Sequence, residues 1–448
     1  MNYFIYKNNI ILILFLFQLL SGQSEYEKWL KDQQQEMAQI IEEENNYMAS
    51  VTNEFEQYKN EQERLYKQFK EEVEKKWDSF RFSSPTEYVD YDNDLSARAA
   101  IDFENGVVEI EVLIEEDSSE PIEVKEDKAE LNKQDQPSVS SRQNQTAVKA
   151  KQENKTVSNK QNQTAVKAKQ ENKPVTNKQN QKAVKDKQDE KAKIKLQEKL
   201  KQISTKLASD KKPILKDQLQ TKSGKKVTQK NIANFVKTTI QSQKLQLRKI
   251  KSKDGKTRIK YTAKVYMPPD HLDKRAERFK SEVIKQSKRF EIDPAIAFAI
   301  MHTESSFNPN ARSHIPAFGL MQLVPSSGAR DAYNYVYKKD KLLKGKYLYN
   351  PENNIELGCA YIRKIRYGYF KAIKDNEAAY YCTISAYNTG IGNVAKTFTG
   401  ATKIKPAVEK INQRNSREVY QYLLKNLPYD ETKNYLVKVT DRINLYQK

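Results

Sequence analysis

The chain has 448 residues, of which 37% are hydrophobic and 31% charged, and it carries a formal net charge of +20. That length holds two or three domains with at least one full core, while so charged a composition leaves part of the chain short of the apolar surface that folding needs. The cationic excess favours polyanionic partners (nucleic acid, an anionic membrane face or an acidic wall polymer). The three histidines, with no HExxH and no paired cysteine spacing, argue against a zinc site.

Lys7 precedes an apolar stretch from Ile10 to Phe17 that continues through Leu19-Leu20 to Ser21-Gly22. A charged start, an apolar run too short to span a bilayer comfortably and small residues at its end form a secretory signal over 1–22. An uncleaved anchor is the alternative. Export sets nucleic acid aside as a partner and leaves no transmembrane helix after cleavage. From about 25 to 80, Met37, Ile41, Met48, Val51, Phe55, Tyr58, Leu65, Phe69 and Val73 recur every three, four or seven residues. That spacing predicts one amphipathic helix or a helical hairpin.

Alternating residues then flank Asn105-Gly106, with Ala99 to Phe103 before and Val107 to Val112 after. This is a strong β-hairpin pattern. A second hairpin follows far downstream, where Leu245 and Leu247 precede Asp254-Gly255 and Ile259, Tyr261, Ala263, Val265 and Met267 alternate after it. With a helix over 232–240, these elements compose a small α+β N-terminal domain in two parts, 23–118 and 196–268.

The interruption is repetitive. Gln143-Asn144-Gln145-Thr146-Ala147-Val148-Lys149-Ala150-Lys151-Gln152-Glu153-Asn154-Lys155 returns at Gln161 and, degraded, at Gln179. The period is 18 residues, and each copy carries a net +3. Ala147, Val148, Ala150 and Val157 project to scattered helical angles, so no apolar stripe forms. The expectation is a disordered Lys/Gln/Asn-rich linker over 119–195, spanning roughly 50 Å root-mean-square. Its role is that of a spacer or of an electrostatic tether to an anionic envelope surface.

From Pro268-Pro269 onward the composition turns globular and helical. Phe279, Val283, Ile284 and Phe290 mark one helix, Ile296 to Glu304 a second, Ile355 to Ile365 a third and Ala378 to Tyr387 a fourth. With no strand-like alternation, residues 269–448 read as an all-α domain. Cys359 and Cys382 both fall in helical segments, and their spacing leaves a disulfide and two buried thiols equally open.

Glu304 is the candidate general acid. It ends the apolar run Ile296-Ala297-Phe298-Ala299-Ile300-Met301, and Asp293-Pro294 supplies an N-cap and a first-turn proline. A helix apolar on every side is buried, so a carboxyl at its end keeps its proton towards neutral pH. His302, two residues earlier, points to another face and is structural. No nucleophile elbow occurs, and Gly390 and Gly392 follow a helix, which suits a cap and not a phosphate cradle. Three segments carry amides, a phenol and aromatic faces suited to an N-acetylated sugar: Glu304-Ser305-Ser306-Phe307-Asn308-Pro309, Gly319-Leu320-Met321-Gln322 and Ala386-Tyr387-Asn388-Thr389-Gly390.

These segments, with Ile300-Met301-His302-Thr303 before the first and His271-Leu272-Asp273-Lys274-Arg275-Ala276 upstream, resemble the soluble lytic transglycosylase domain. That family shares the lysozyme-like fold with goose-type lysozyme. The resemblance covers roughly 270–448, and more weakly 70–115 and 196–268. It implies non-hydrolytic cleavage of peptidoglycan glycan strands between N-acetylmuramic acid and N-acetylglucosamine, leaving 1,6-anhydromuramic acid ends, with Glu304 as sole acid/base and no metal or cofactor. It implies further that Ser313, Met321, Gln322, Tyr387, Asn388 and Tyr435, the last in Glu431-Thr432-Lys433-Asn434-Tyr435, line the sugar cleft. A hydrolase of the usual kind needs a second carboxylate across the scissile bond, and none lies in the three segments. A goose-type hydrolase and a non-catalytic wall-binding protein are the competing readings.

Two positions depart from the family. A lipoprotein member carries a lipobox cysteine after its signal, where this chain has Gln23, so the expectation is an exported, periplasmic protein without an outer-membrane lipid anchor. Pro316 stands where many relatives have glycine.

Overall fold

The computed structural model describes residues 2–116, 175–313 and 316–447. The repeat copies that begin at Gln143 and Gln161, and most of the 119–195 segment, lie outside these.

One helix, α1 (Asn2–Glu74), runs through both the expected signal and the expected amphipathic segment, so the helical-hairpin alternative falls. Its end packs Phe69 and Val73 with Trp77, Leu113 and Ile250. The Trp77 indole N–H donates to Leu95 O at 2.8 Å, which turns the chain into the sheet.

Five strands follow: β1 (Glu87–Tyr91), β2 (Ala97–Asp102), β3 (Val107–Glu115), β4 (Gln246–Lys251) and β5 (Thr257–Tyr266). The sheet order is β1-β2-β3-β5-β4, with every pairing antiparallel. Both expected hairpins form, and β3 pairs with β5 from Val107↔Tyr266 to Glu115↔Arg258. The long interruption is therefore looped out of a single sheet, which its logarithmic closure entropy permits. β1 was not anticipated, because its short Glu87-Tyr88-Val89-Asp90-Tyr91 run is an edge strand of mostly half-buried residues.

Successive β3 side chains face opposite ways. Val108, Ile110, Val112 and Ile114 join the larger core of this domain. On the other face Glu111 pairs with buried Arg98, whose guanidinium lies 4.1 Å over the Trp77 ring. The core face is covered by α2 (Val175–Thr205) and α3 (Ile232–Gln241).

Here the expectation of disorder to residue 195 is corrected. The third, degraded repeat copy lies in α2, and Val184, Ala192, Leu196, Leu200 and Ile203 pack on the sheet. Ala192, Leu196, Leu200 and Ile203 recur at helical spacing and build the apolar stripe that the first two copies lack.

The remaining chain is helical: α4 (His271–Phe290), α5 (Pro294–Ser305), α6 (Gly328–Tyr337), α7 (Gly345–Leu348), α8 (Pro351–Arg363), a π-helical turn (Lys364–Tyr369), α9 (Asn376–Thr389), α10 (Ile391–Thr399), α11 (Ile404–Ile411), α12 (Ser416–Asn426) and α13 (Asp430–Tyr446). Together with the sheet this gives the α+β class. The central helix α5 is wrapped by α4, α8 and α13, and every residue from Ala295 to His302 is buried.

The two domains meet at the β2–β3 turn. Gly106 has φ +65°, and a Cβ there would lie 2.6 Å from His271 Nε2 at the start of α4. Only glycine permits both the left-handed backbone and that approach.

If α2 is part of this core, Leu200→Ala removes a fully buried side chain and costs about 2–5 kcal/mol. A chemical-denaturation midpoint reads this; a change below about 0.5 kcal/mol, as for surface substitutions, would place α2 outside the folded domain.

Candidate active site

Asp293 caps α5 by accepting from Ala295 N–H at 2.8 Å, and Pro294 occupies the first helical position. The helix ends in a sharp turn, with Ser306 (φ 47°) and Phe307 (φ 61°) both left-handed and neither glycine. Each such residue costs about 1–2 kcal/mol, so the surroundings must hold the turn. Arg275 Nε donates to Ser306 O at 3.1 Å, Asn308 N–H donates to Ser305 O at 2.9 Å, and the Phe307 ring is buried against Phe298 and His302. Ser305 Oγ donates to Leu320 O at 2.7 Å, tying the helix end to the Gly319–Gln322 segment.

Glu304 projects from this helix end. The residue is half-buried, yet its carboxyl lies among protein groups. Burial, set against a hydrogen bond from Tyr435 and reinforced by the charge of Glu431, pushes it up to about 8. Desolvation dominates because the apolar core offers the carboxylate little to replace water. Tyr435 Oη donates to Oε1 at 2.7 Å, which leaves Oε2 to carry the proton. A protonated carboxylic acid at neutral pH, fixed by a phenol and open along one edge, can donate a proton and take one back.

Tyr387 lies close by. Its hydroxyl donates to Met321 O at 2.8 Å, and burial, then the Glu304 charge, hold it well above the usual phenol range. Tyr435 is raised for the same reasons, so both phenols stay neutral donors.

Met321 is fixed from behind. Its N–H donates to Asn354 Oδ1, and Asn354 Nδ2 donates to Phe318 O and Leu348 O, all at 2.8 Å. Gly319 has φ +76° and faces Asn354 so closely that a Cβ would lie 2.5 Å from Nδ2. Gln322 Nε2 donates to Gly319 O at 2.9 Å, while its Oε1 is buried without a hydrogen-bond partner. An unpaired buried acceptor is costly. Asn388 Oδ1 accepts from Thr432 Oγ1 at 2.7 Å, which joins the end of α9 to the start of α13.

The structure thus brings Glu304, Tyr435, Tyr387 and Met321 together, with Gln322 and Asn388 adjoining through Gly319 and Thr432. Ser313 borders a cavity of about 280 Å³ beside α1, shared with Lys59, Gln62, Tyr66, Phe82 and Pro316, which Glu304 does not line.

His302 lies behind the site. Its Nδ1 is 2.9 Å from Tyr446 Oη, and burial and the neighbouring Arg442 lower it to about 4, so it is neutral and structural. Cys359 and Cys382 are free and buried, which settles the alternative left open by spacing; burial pushes the Cys359 thiol up to about 12.

Two residues escaped the sequence reading. Glu431 precedes Tyr435 by four, and that i,i+4 spacing places both on one face of α13; the signal was present in the quoted segment. Asn354 is the second of two adjacent amides, Asn353-Asn354, and only the fold shows which of them supports Met321.

Residues 281–408 match the family described as Transglycosylase SLT domain, and residues 48–125 match the N-terminal domain of membrane-bound lytic murein transglycosylase C. Both matches support the resemblance to the lytic transglycosylases, over the catalytic and the N-terminal parts of the chain. The chain is similar to membrane-bound lytic murein transglycosylase C of Klebsiella pneumoniae, 36% identical over 200 residues that make up 45% of this chain and 55% of the relative. The protein of the same description from Cronobacter sakazakii is 36% identical over 199 residues, 44% of this chain and 54% of its own. The chain spans about half the length of these curated relatives. Among solved structures, the 70 kDa soluble lytic transglycosylase of Escherichia coli is 23% identical with a TM-score of 0.29, over 40% of this chain and 25% of that one.

The raised acid couples activity to stability. Because folding raises the Glu304 carboxyl from 4.5 to about 8, ionisation is disfavoured more in the folded than in the unfolded state. Its contribution is intact below about pH 4.5 and is lost as pH rises through 8. Glu304→Gln removes that loss. The expected outcome is equal stability at pH 4 and a variant more stable than wild type at pH 9 by roughly 2–4 kcal/mol, discounted for the open edge of the carboxyl. Denaturation at the two pH values checks it.

Proposed function

We propose that this chain is a peptidoglycan lytic transglycosylase that cleaves the β-1,4 bond between N-acetylmuramic acid and N-acetylglucosamine, with Glu304 as its single acid/base. The observation that carries the reading is the Glu304 carboxyl, raised to about 8 and hydrogen-bonded through one oxygen to Tyr435. Glu304 Oε2 protonates the bridging oxygen, and the glycosidic bond breaks with positive charge developing on the muramoyl ring. The carboxylate left behind then accepts the proton of the muramoyl 6-hydroxyl, whose oxygen closes on C1. The product is a 1,6-anhydro sugar, no water is consumed, and the acid returns protonated. An acid that favours its neutral form between turnovers suits both halves of that cycle.

Met321, Gln322, Tyr387, Asn388, Tyr435 and Ser313 are the proposed cleft residues. The neutral phenols of Tyr387 and Tyr435 suit an uncharged glycan. The curated relatives are described as membrane-bound; we place this chain in the cell envelope as well, on glycan strands, with an anionic surface as a secondary electrostatic partner. No described helix is long and apolar enough to cross a membrane.

One observation favours a second reading. Glu431 is an exposed carboxylate whose charge reaches Glu304, and a hydrolase of the same bond would use such a group to activate water. In the single-acid reading its field helps the acid keep its proton.

Two measurements decide. Glu304→Gln is expected to lower turnover on purified sacculi by about 10²- to 10⁴-fold, and unchanged activity would leave a wall-binding protein. Mass spectrometry of the wild-type digest is expected to show anhydromuramic ends; muropeptides one water heavier with reducing ends identify a hydrolase.

Glu431→Gln separates the same two readings by another route. The single-acid enzyme keeps its activity at pH 5–6 while the alkaline limb of its pH profile moves below 8, because the variant no longer raises the acid. A hydrolase loses activity at every pH.

A further inference from the structure

We propose that Glu104, on the β2–β3 turn of the N-terminal domain, is a positioning residue for the acid Glu304 and its partner Tyr435. The inference rests on the reading of Glu304 given above. The Glu104 carboxylate accepts from Ser306 Oγ through one oxygen and from the Arg442 guanidinium through the other. Ser306 is the first of the two left-handed residues that end the acid-bearing helix α5. Arg442 sits on α13, seven residues and two turns beyond Tyr435, which places both on one side of that helix. One carboxylate from a different domain therefore ties together the end of α5 and the helix whose phenol holds Glu304 Oε1 at 2.7 Å.

The link is reinforced on both sides. Arg442 also donates to Thr303 Oγ1 at 3.2 Å, next to Glu304 in the chain. Arg275 donates to Phe103 O, beside Glu104, and to Ser306 O, so the turn and the helix end share one guanidinium. The turn itself is stiff, because Asp102 Oδ1 accepts from the N–H groups of Glu104 and Asn105 at 3.0 and 2.8 Å. Glu104 does not reach the reacting atoms. Its work is to keep the acid and the phenol at one fixed separation, since a displacement on the ångström scale suffices to impair a catalytic geometry. By this account the N-terminal domain completes the active site from behind.

The test uses the full chain and sacculi, with kcat and KM read per folded molecule. Glu104→Ala is expected to lower kcat about tenfold with KM within twofold, and to move the alkaline limb of the kcat profile upward as the Tyr435 hydrogen bond loosens. Glu104→Gln, which keeps an acceptor for Ser306 and loses the charge facing Arg442, is expected to fall between. Ser306→Ala removes only the hydroxyl and is expected to give a several-fold lower kcat; combined with Glu104→Ala it should add little. A Glu104→Ala kcat within twofold of wild type overturns the inference, as does a loss of activity that only follows the unfolded fraction. Should Glu104→Ala not fold, a wild-type kcat for Ser306→Ala overturns it alone. Wild-type protein without anhydro-forming activity in the same assay would sink the proposed function instead.

Discussion

The arrangement depends on a carboxyl group kept from water at the end of a helix that is otherwise core. Ionising Glu304 is unfavourable because α5 is apolar on all sides from Ala295 to Met301, and among the described residues no cation pairs with the carboxylate. In a surface helix the same residue would be an ordinary solvated glutamate. The protein accepts the cost of a buried acid because the surrounding core, from Phe279 to Val439, outweighs it many times over.

That constraint explains the shape of the neighbourhood. A helix end that must aim one side chain cannot fray, and α5 stops in two left-handed residues held by Arg275, Ser305 and the Phe307 ring. The second wall is held as firmly, with Asn354 gripping three backbone groups around Met321. Two neutral phenols lie between them, Tyr387 donating to Met321 O on the second wall and Tyr435 donating to the Glu304 carboxyl. The contacts of Glu104 and Gly106 with α4, the end of α5 and α13 join the two domains.

Much of this was legible in the chain. Asn105-Gly106 and Asp254-Gly255 announced hairpins because left-handed turn residues between alternating strands have few other uses. The Asp293-Pro294 start and the unbroken apolar run fixed α5 and, through it, the raised acid. The third repeat copy is hard to read as helix because only Ala192 and Leu196 of the apolar stripe fall within it, and Leu200 and Ile203 complete that stripe beyond the repeat. Glu431 shares a face of α13 with Tyr435 through its i,i+4 spacing, but only the fold brings that face to Glu304.

Sequence alone determined local matters: the two hairpins, the main helices of the C-terminal part, and a carboxyl, Glu304, placed at the end of an apolar helix and therefore poorly solvated. Those follow from periodicity and from the chemistry of neighbours in the chain. Tertiary structure decided which distant groups meet: that Tyr435, 131 residues away, holds Glu304, that Ser313 faces α1, and that Glu104 reaches across 202 residues to Ser306. Such pairings depend on how two domains pack, and packing is a property of whole surfaces that no spacing within one segment encodes.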